Sequence, residues 1–143
     1  MTTSISEIRK DFPLLMSNDV IYLDTAATSQ KPSCVLEAER TFYEKYNANP
    51  LRGLYELGEA ATEKYEEARE TVREFLNARE AAEIVFVRNA TEGLNLVAYS
   101  LSSLVLKPGD EILVSIMEHH SNLLPWQQAA ARTGAVVKYL ECT

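Results

Sequence analysis

The sequence predicts an α/β fold, and three observations carry the prediction. Ile84-Val85-Phe86-Val87 and Glu111-Ile112-Leu113-Val114-Ser115 are short β-prone runs, each followed by a stretch of helix formers. Ala135 to Leu140 repeats the β pattern. Strand, helix, strand, helix, strand in that order implies right-handed crossovers and a parallel sheet. The runs are nearly all apolar rather than alternating, as strands covered on both faces are.

The elements follow in order. Ser4 with Glu7 matches a capping box opening a short helix, which Pro13 is expected to end. Val20-Ile21-Tyr22-Leu23 is a brief β-prone run leading into the small-residue loop 24–30. Pro32 suits the first turn of a helix running to about Tyr46. Asn47 to Gly53, with two Asn, a Pro and a Gly, reads as an irregular loop. From Glu59 to Leu76 the spacing of Ala61, Tyr65, Ala68, Val72 and Phe75 gives one apolar helical stripe. The charges between them (Glu63, Lys64, Glu66, Glu67, Arg69, Glu70) read as a solvated face.

After the strand at 84–87, Thr91 to Leu104 is expected to be a helix with Leu94, Val97, Ala98 and Leu101 on one side. Lys107-Pro108-Gly109-Asp110 is a turn before the second strand. Met117 to Ser121 is a loop, and Asn122 to Arg132 a helix ended by Gly134 in a left-handed cap. The third strand runs from Ala135 to Leu140. With no strand beyond it, the sheet looks unfinished at Thr143, which points to part of a larger fold.

Composition narrows the function. The 143 residues are 46% apolar and 24% charged, ordinary for a globular chain with a real core. No apolar run approaches the ~20 residues that span a bilayer. The first residues, MTTSISEIRKDFP, lack the apolar stretch of a secretory signal, so a cytoplasmic location and no membrane partner are expected. The net charge of −7, with scattered basic residues, argues against nucleic-acid binding. Two Cys (Cys34, Cys142) and two His (His119, His120) cannot form a structural zinc set, and no metal is expected. Both thiols are expected to pack as small apolar groups.

In open α/β sheets, ligands sit beyond the carboxyl ends of strands, where helix N-termini offer unpaired N–H groups. Two such places are visible. At Arg88-Asn89-Ala90-Thr91-Glu92-Gly93, the amides around Ala90 and Thr91 with the Thr91 hydroxyl form a phosphate cradle. Asn89 or Thr91 acting only as a helix cap is the favoured reading of that motif taken alone. At Met117-Glu118-His119-His120-Ser121-Asn122, a histidine can act as acid or base, bind metal, or lie against a planar ligand. A hydrogen-bonded structural histidine is at least as good a reading. Neither G-x-G-x-x-G nor G-K-[ST] occurs, so a dinucleotide or P-loop site loses its main support.

Taken together, the motifs carry a resemblance. Tyr22-Leu23-Asp24-Thr25-Ala26-Ala27-Thr28-Ser29-Gln30-Lys31-Pro32 resembles the opening loop of fold-type I pyridoxal-phosphate (PLP) enzymes of the class V aminotransferase group. Arg52-Gly53, Ala61-Thr62, Phe86 to Ala98 and Gly109 to Ile112 continue it in order. Met117 to Gln127 is similar to Suf-type (group II) cysteine desulfurases and selenocysteine lyases. The resemblance spans roughly Ile5 to Leu140. It implies the N-terminal portion of an incomplete PLP-dependent transferase fold type I. Residues 1–57 would be the N-terminal segment, and 58–143 the start of the cofactor-binding large domain.

The resemblance also implies roles. Thr91, with Ala90 and the neighbouring backbone, would hold the PLP phosphate. His119 would stack on the pyridine ring and relay protons as the catalytic residue, with His120 the lesser candidate. Ala26 and Ala27 would line the substrate side, and Arg52 would approach the site across a homodimer interface. The implied reaction removes sulfur from L-cysteine (or selenium from selenocysteine), leaving alanine and a protein persulfide. That sulfur would pass to an acceptor protein for iron–sulfur cluster assembly. Where Suf-type members often read His-Arg-Gly-x-His, this chain has Leu51-Arg52-Gly53-Leu54-Tyr55, which leaves the subgroup open. The family's cofactor-anchoring lysine, the aspartate facing the pyridine nitrogen, the nucleophilic cysteine and the carboxylate-binding arginine belong to later segments. These 143 residues alone are therefore expected to be inactive. The alternatives are another class V PLP enzyme (selenocysteine lyase, kynureninase-like hydrolase or aminotransferase) and a non-catalytic α/β module.

Overall fold

The computed structural model describes residues 4–51 and 53–142. They form two compact units, Met1–Ile84 and Val85–Thr143.

In the first unit, α1 (Ile5–Lys10) starts at Ser4, whose side chain accepts the Glu7 amide at 3.3 Å. Pro13 does not simply end this helix. It opens a second, α2 (Pro13–Ser17), in the first-turn position where its missing N–H costs nothing. The expected strand at 20–23 is extended but unpaired, with Ile21 and Leu23 exposed. A strand needs a neighbour for its N–H and C=O groups, and this segment has none among the described residues. The chain then turns at 24–28, where the Ala27 and Thr28 amides donate to the Asp24 carbonyl at 3.2 and 3.0 Å. The Tyr22 hydroxyl closes the turn by donating to the Thr28 carbonyl at 2.5 Å.

Helix α3 (Ser33–Lys45) forms where expected, but Pro32 is its extended N-cap at ψ 158° rather than a first-turn residue. Helix α4 (Glu56–Leu76) begins three residues before the apolar stripe predicts. Its first turn is seated by close backbone approach: a Cβ on Gly58 would lie 2.7 Å from the Gly53 Cα. Leu51, in the left-handed region at φ 69°, donates its amide to Thr62 Oγ1 at 2.8 Å. Of the predicted stripe, Ala61 is fully buried while Phe75 is 87% exposed, so the stripe fails at its C-terminal end. The charged face is exposed at Glu63, Lys64, Glu66, Glu67 and Glu70, with i,i+3 pairs Lys64–Glu67, Arg69–Glu66 and Arg73–Glu70. Arg69 is half-buried and bonds the Ile84 carbonyl, which corrects the expectation for that residue. Such pairs contribute little individually.

The second unit holds β1 (Glu111–Ser115) and β2 (Val136–Leu140), paired in parallel from Glu111↔Val136 to Ser115↔Leu140. The crossover between them is α7 (His120–Thr133), ended by Gly134 at φ 77°. The sheet among the described residues has these two strands, not three. Val85, Phe86 and Val87 form no strand and are exposed. The sheet of the described residues, β1 with β2, does not include them, so β propensity alone does not make a strand here. The expected single helix from Thr91 to Leu104 is two, α5 (Ala90–Ser100) and α6 (Ser102–Val105), separated at Leu101. The buried Ser102 hydroxyl at the break bonds back to the Ala98 carbonyl.

The core of this unit is small: Ala98, Ser102, Val114, Ala129 and Ala130. Alanines on α5 and α7 let the two helices pack closely, and Arg132 Nη2 bonds the Ala98 carbonyl at 3.1 Å. Much apolar surface stays exposed in both units, including Leu54, Leu104 and Met117. Cys34 and Cys142 are both exposed, which corrects the expectation that they pack inside. Neither cysteine lies on a buried face, so apolar character alone did not bury them. Among the described residues, no helix is long and apolar enough to cross a membrane.

Candidate functional site

In the second unit α5 and α7 run in the same sense. Arg132, near the end of α7, touches Ala98, near the end of α5, and its guanidinium lies 5.0 Å from the Tyr99 ring. Because the helices also pack against each other, this C-terminal contact makes them run in the same sense. Their N-termini therefore share one end of the pair. That end is the carboxyl end of β1, from which the chain enters α7.

At α5 the cap is Asn89, whose Oδ1 accepts the Glu92 amide at 2.9 Å. The Gly93 amide is taken by the Asn89 carbonyl at 3.2 Å. Asn89 is thus a helix cap, as the conservative reading holds, and Thr91 is not. The amides of Ala90 and Thr91 and the Thr91 hydroxyl have no partner among the described residues. These three donors lie in the first turn of an 11-residue helix, at its positive end, where an anionic oxygen is favoured. Arg88, Asn89, Thr91, Glu92 and Asn95 help line an open groove of ≈ 740 Å³ there.

The Glu92 carboxylate beside the α5 N-terminus is already paired. The Glu92 carboxylate accepts the Arg88 amide at 2.6 Å and its guanidinium at 3.2 Å. The Arg88 amide first, then its side chain, holds the Glu92 carboxyl below the usual carboxylate range. An open groove of similar size in the first unit is lined by Glu56, Glu59 and Glu63 and would repel an anion.

At α7 the sequence placed the helix start at Asn122; the structure starts it at His120 and makes His119 the cap. His119 Nδ1 accepts the Ser121 amide at 3.1 Å, with Ser121 Oγ 2.9 Å from the same nitrogen. That acceptor role puts the neutral ring's proton on Nε2. The ring is exposed and stands edge-on to His120, centroids 6.2 Å apart at 65°. The two rings are therefore in edge contact at the start of α7, with His119 the cap and His120 the first helical residue.

Ala26 and Ala27 lie in the exposed turn of the first unit. Arg52 lies outside the described residues. No group of three or more His, Cys, Asp or Glu among the described residues could hold a metal. Sequence reading missed the network behind His119, in which Ser115, Glu118, Asn122 and Trp126 are linked by hydrogen bonds of 2.8 to 3.0 Å. The available signal was the four-residue spacing of 118, 122 and 126, which stacks side chains along one helical face.

Residues 21–143 match the aminotransferase class-V family. The chain belongs to that family. A protein named probable cysteine desulfurase from Synechocystis sp. is 53% identical over 94% of this chain and 33% of its own length. The apo structure of cysteine desulfurase from Thermococcus onnurineus NA1 matches with TM-score 0.89 and 44% identity, over 99% of this chain and 34% of that one. A cysteine desulfurase structure from Escherichia coli matches with TM-score 0.82 and 40% identity, over 100% and 36%. The class-V chain thus spans about a third of the length of the curated relatives it matches, and its α/β fold is theirs over that third.

Proposed function

We propose that this class-V chain is the phosphate-gripping and ring-facing part of a PLP-dependent cysteine desulfurase. The observation that carries the reading is the pairing of two helix N-termini at one end of α5 and α7. One end offers unpartnered donors at Ala90 and Thr91; the other displays an exposed imidazole at His119. The donor set fits a phosphate monoester, and the exposed ring fits a flat aromatic neighbour.

Bound PLP supplies an electron sink for the substrate's α-carbon. The chain's own residues bind and orient. The Ala90 and Thr91 amides with the Thr91 hydroxyl would hold the phosphate, at the helix end where negative charge is favoured. His119, fixed through Nδ1, would lie against the pyridine ring and hold a proton at Nε2. The small side chains of Ala26 and Ala27 would admit the amino acid, and Arg52 would face the site in a homodimer. The remaining two-thirds of a relative-sized protein would supply a lysine to anchor the cofactor and a cysteine to take up the sulfur. L-cysteine is the substrate in this reading. An acceptor protein takes the sulfur for iron–sulfur cluster assembly, in the cytoplasm.

The test is turnover. Protein expressed with its downstream coding sequence and loaded with PLP is expected to release alanine from L-cysteine and carry a persulfide. Failure to bind PLP would overturn the reading. The 143 residues alone are expected to yield no alanine above a PLP-only control, and alanine from them would overturn the division of labour.

A further inference from the structure

The half-buried Glu118 carboxylate sits between two donors. Ser115 Oγ, at the end of β1, donates to Oε1 at 2.8 Å, and Asn122 Nδ2, in the first turn of α7, donates to Oε2 at 2.8 Å. Asn122 Oδ1 in turn accepts from Trp126 Nε1 at 3.0 Å. An indole nitrogen can only donate, so Trp126 fixes which way the Asn122 amide faces. Its oxygen must point to the indole and its NH2 to residue 118. Position 118 must then accept from Asn122, and its carboxylate also accepts from Ser115. The brace spans the segment 116–119 and encloses the backbone of His119, held at φ −62°, ψ 148° as the α7 cap.

We propose that Glu118 is a positioning residue for His119: by tying Ser115 to Asn122 it keeps the cap geometry in which His119 Nδ1 accepts and Nε2 carries the proton. Its importance to function rests on the reading of His119 as the ring that meets the cofactor. The positioning itself is a property of this chain.

The test exploits donor and acceptor polarity. Asn122→Asp keeps an acceptor for Trp126 but turns a carboxylate toward the Glu118 carboxylate, so the bond between 118 and 122 is lost. In E118Q/N122D every partner is satisfied again. The new amide donates to the carboxylate at 122, whose other oxygen accepts from Trp126, while Ser115 keeps its acceptor. The readout is the 15N shifts of the two histidine rings in the intact protein labelled at histidine, assigned with a His120→Gln sample. For His119 the unsubstituted protein is expected to show an unprotonated Nδ1 and a protonated Nε2. N122D is expected to draw the two shifts together, and E118Q/N122D to restore them. In longer PLP-loaded protein, cysteine turnover (kcat/KM) should fall about tenfold in N122D and recover in the double variant, the effect of about one lost hydrogen bond to a charged group. Folded N122D with unchanged ring shifts would overturn the proposal, as would a double variant that does not recover. If N122D does not fold, the double variant decides alone: wild-type ring shifts support the proposal, and averaged shifts or an unfolded chain overturn it. PLP binding decides the cofactor reading separately and leaves the ring result standing.

Discussion

Thr91→Val separates an anion site from a helix cap. Thr91 is exposed, its hydroxyl has no partner among the described residues, and Val keeps the β-branched shape. Folding stability should therefore stay within about 0.5 kcal/mol of the unsubstituted protein. A hydrogen bond to a charged group is worth about 1.5–3 kcal/mol, and solvent at this exposed end favours the lower figure. PLP affinity should fall about tenfold, by the relation of about 1.4 kcal/mol per factor of ten. Asn89→Ala is the crossed control. It removes the bond to the Glu92 amide and should cost about 1 kcal/mol of stability. It leaves the Ala90 and Thr91 donors in place, so affinity measured well below the melting transition should change much less than in Thr91→Val. The assay is equilibrium dialysis with PLP alongside urea unfolding of each variant. Unchanged PLP affinity in a folded Thr91→Val protein would refute the reasoning, because the hydroxyl would then not belong to the cradle.

Two further outcomes follow from the packing and the charges. Gly134→Ala forces a side chain into the left-handed region at φ 77° and sets its Cβ 3.2 Å from Pro108 Cβ; it should cost about 1–3 kcal/mol in urea unfolding. The Glu92 and Glu118 carboxyls are both held below their ordinary value of 4.5, Glu92 by Arg88 and Glu118 by Asn122 and then Ser115. A lowered folded value means that the stabilisation is complete above 4.5 and is lost as pH falls through the folded values. The urea midpoint should fall on acidification below that point, and the E92Q/E118Q protein should show a shallower fall over the same range.

Much of the local structure was legible because local rules decide it. Ser4, Pro32 and Gly134 mark helix ends through capping and backbone preference, and each behaves as its residue type dictates. Strand β1 appears where the apolar run predicts it, and β2 starts one residue late. The equally β-prone Val85-Phe86-Val87 is no strand among the described residues, because a ladder depends on a neighbouring strand and not on the run itself. Phe75 fits the α4 stripe by spacing yet is exposed, since periodicity names a face without supplying anything to cover it. The helix start that leaves the Ala90 and Thr91 amides without intrahelical partners was visible in the motif. What the motif left open was whether Asn89 or Thr91 would spend its oxygen on capping.

The sequence by itself determined the α/β class, the start of a helix at about Thr91 with Asn89 or Thr91 as its cap, and the family likeness from Tyr22 to Gln127. Tertiary structure alone decided that Asn89 caps and Thr91 does not, that His119 is the cap of α7, and that both helix N-termini share one end. It also set the direction of the chain of bonds from Trp126 through Asn122 to Glu118. The physical reason is range. Caps, turns and periodicity act within a few residues, whereas the sense in which two helices pack, and which oxygen meets which donor, is fixed only when Arg132 reaches Ala98 and Ser115 reaches Glu118.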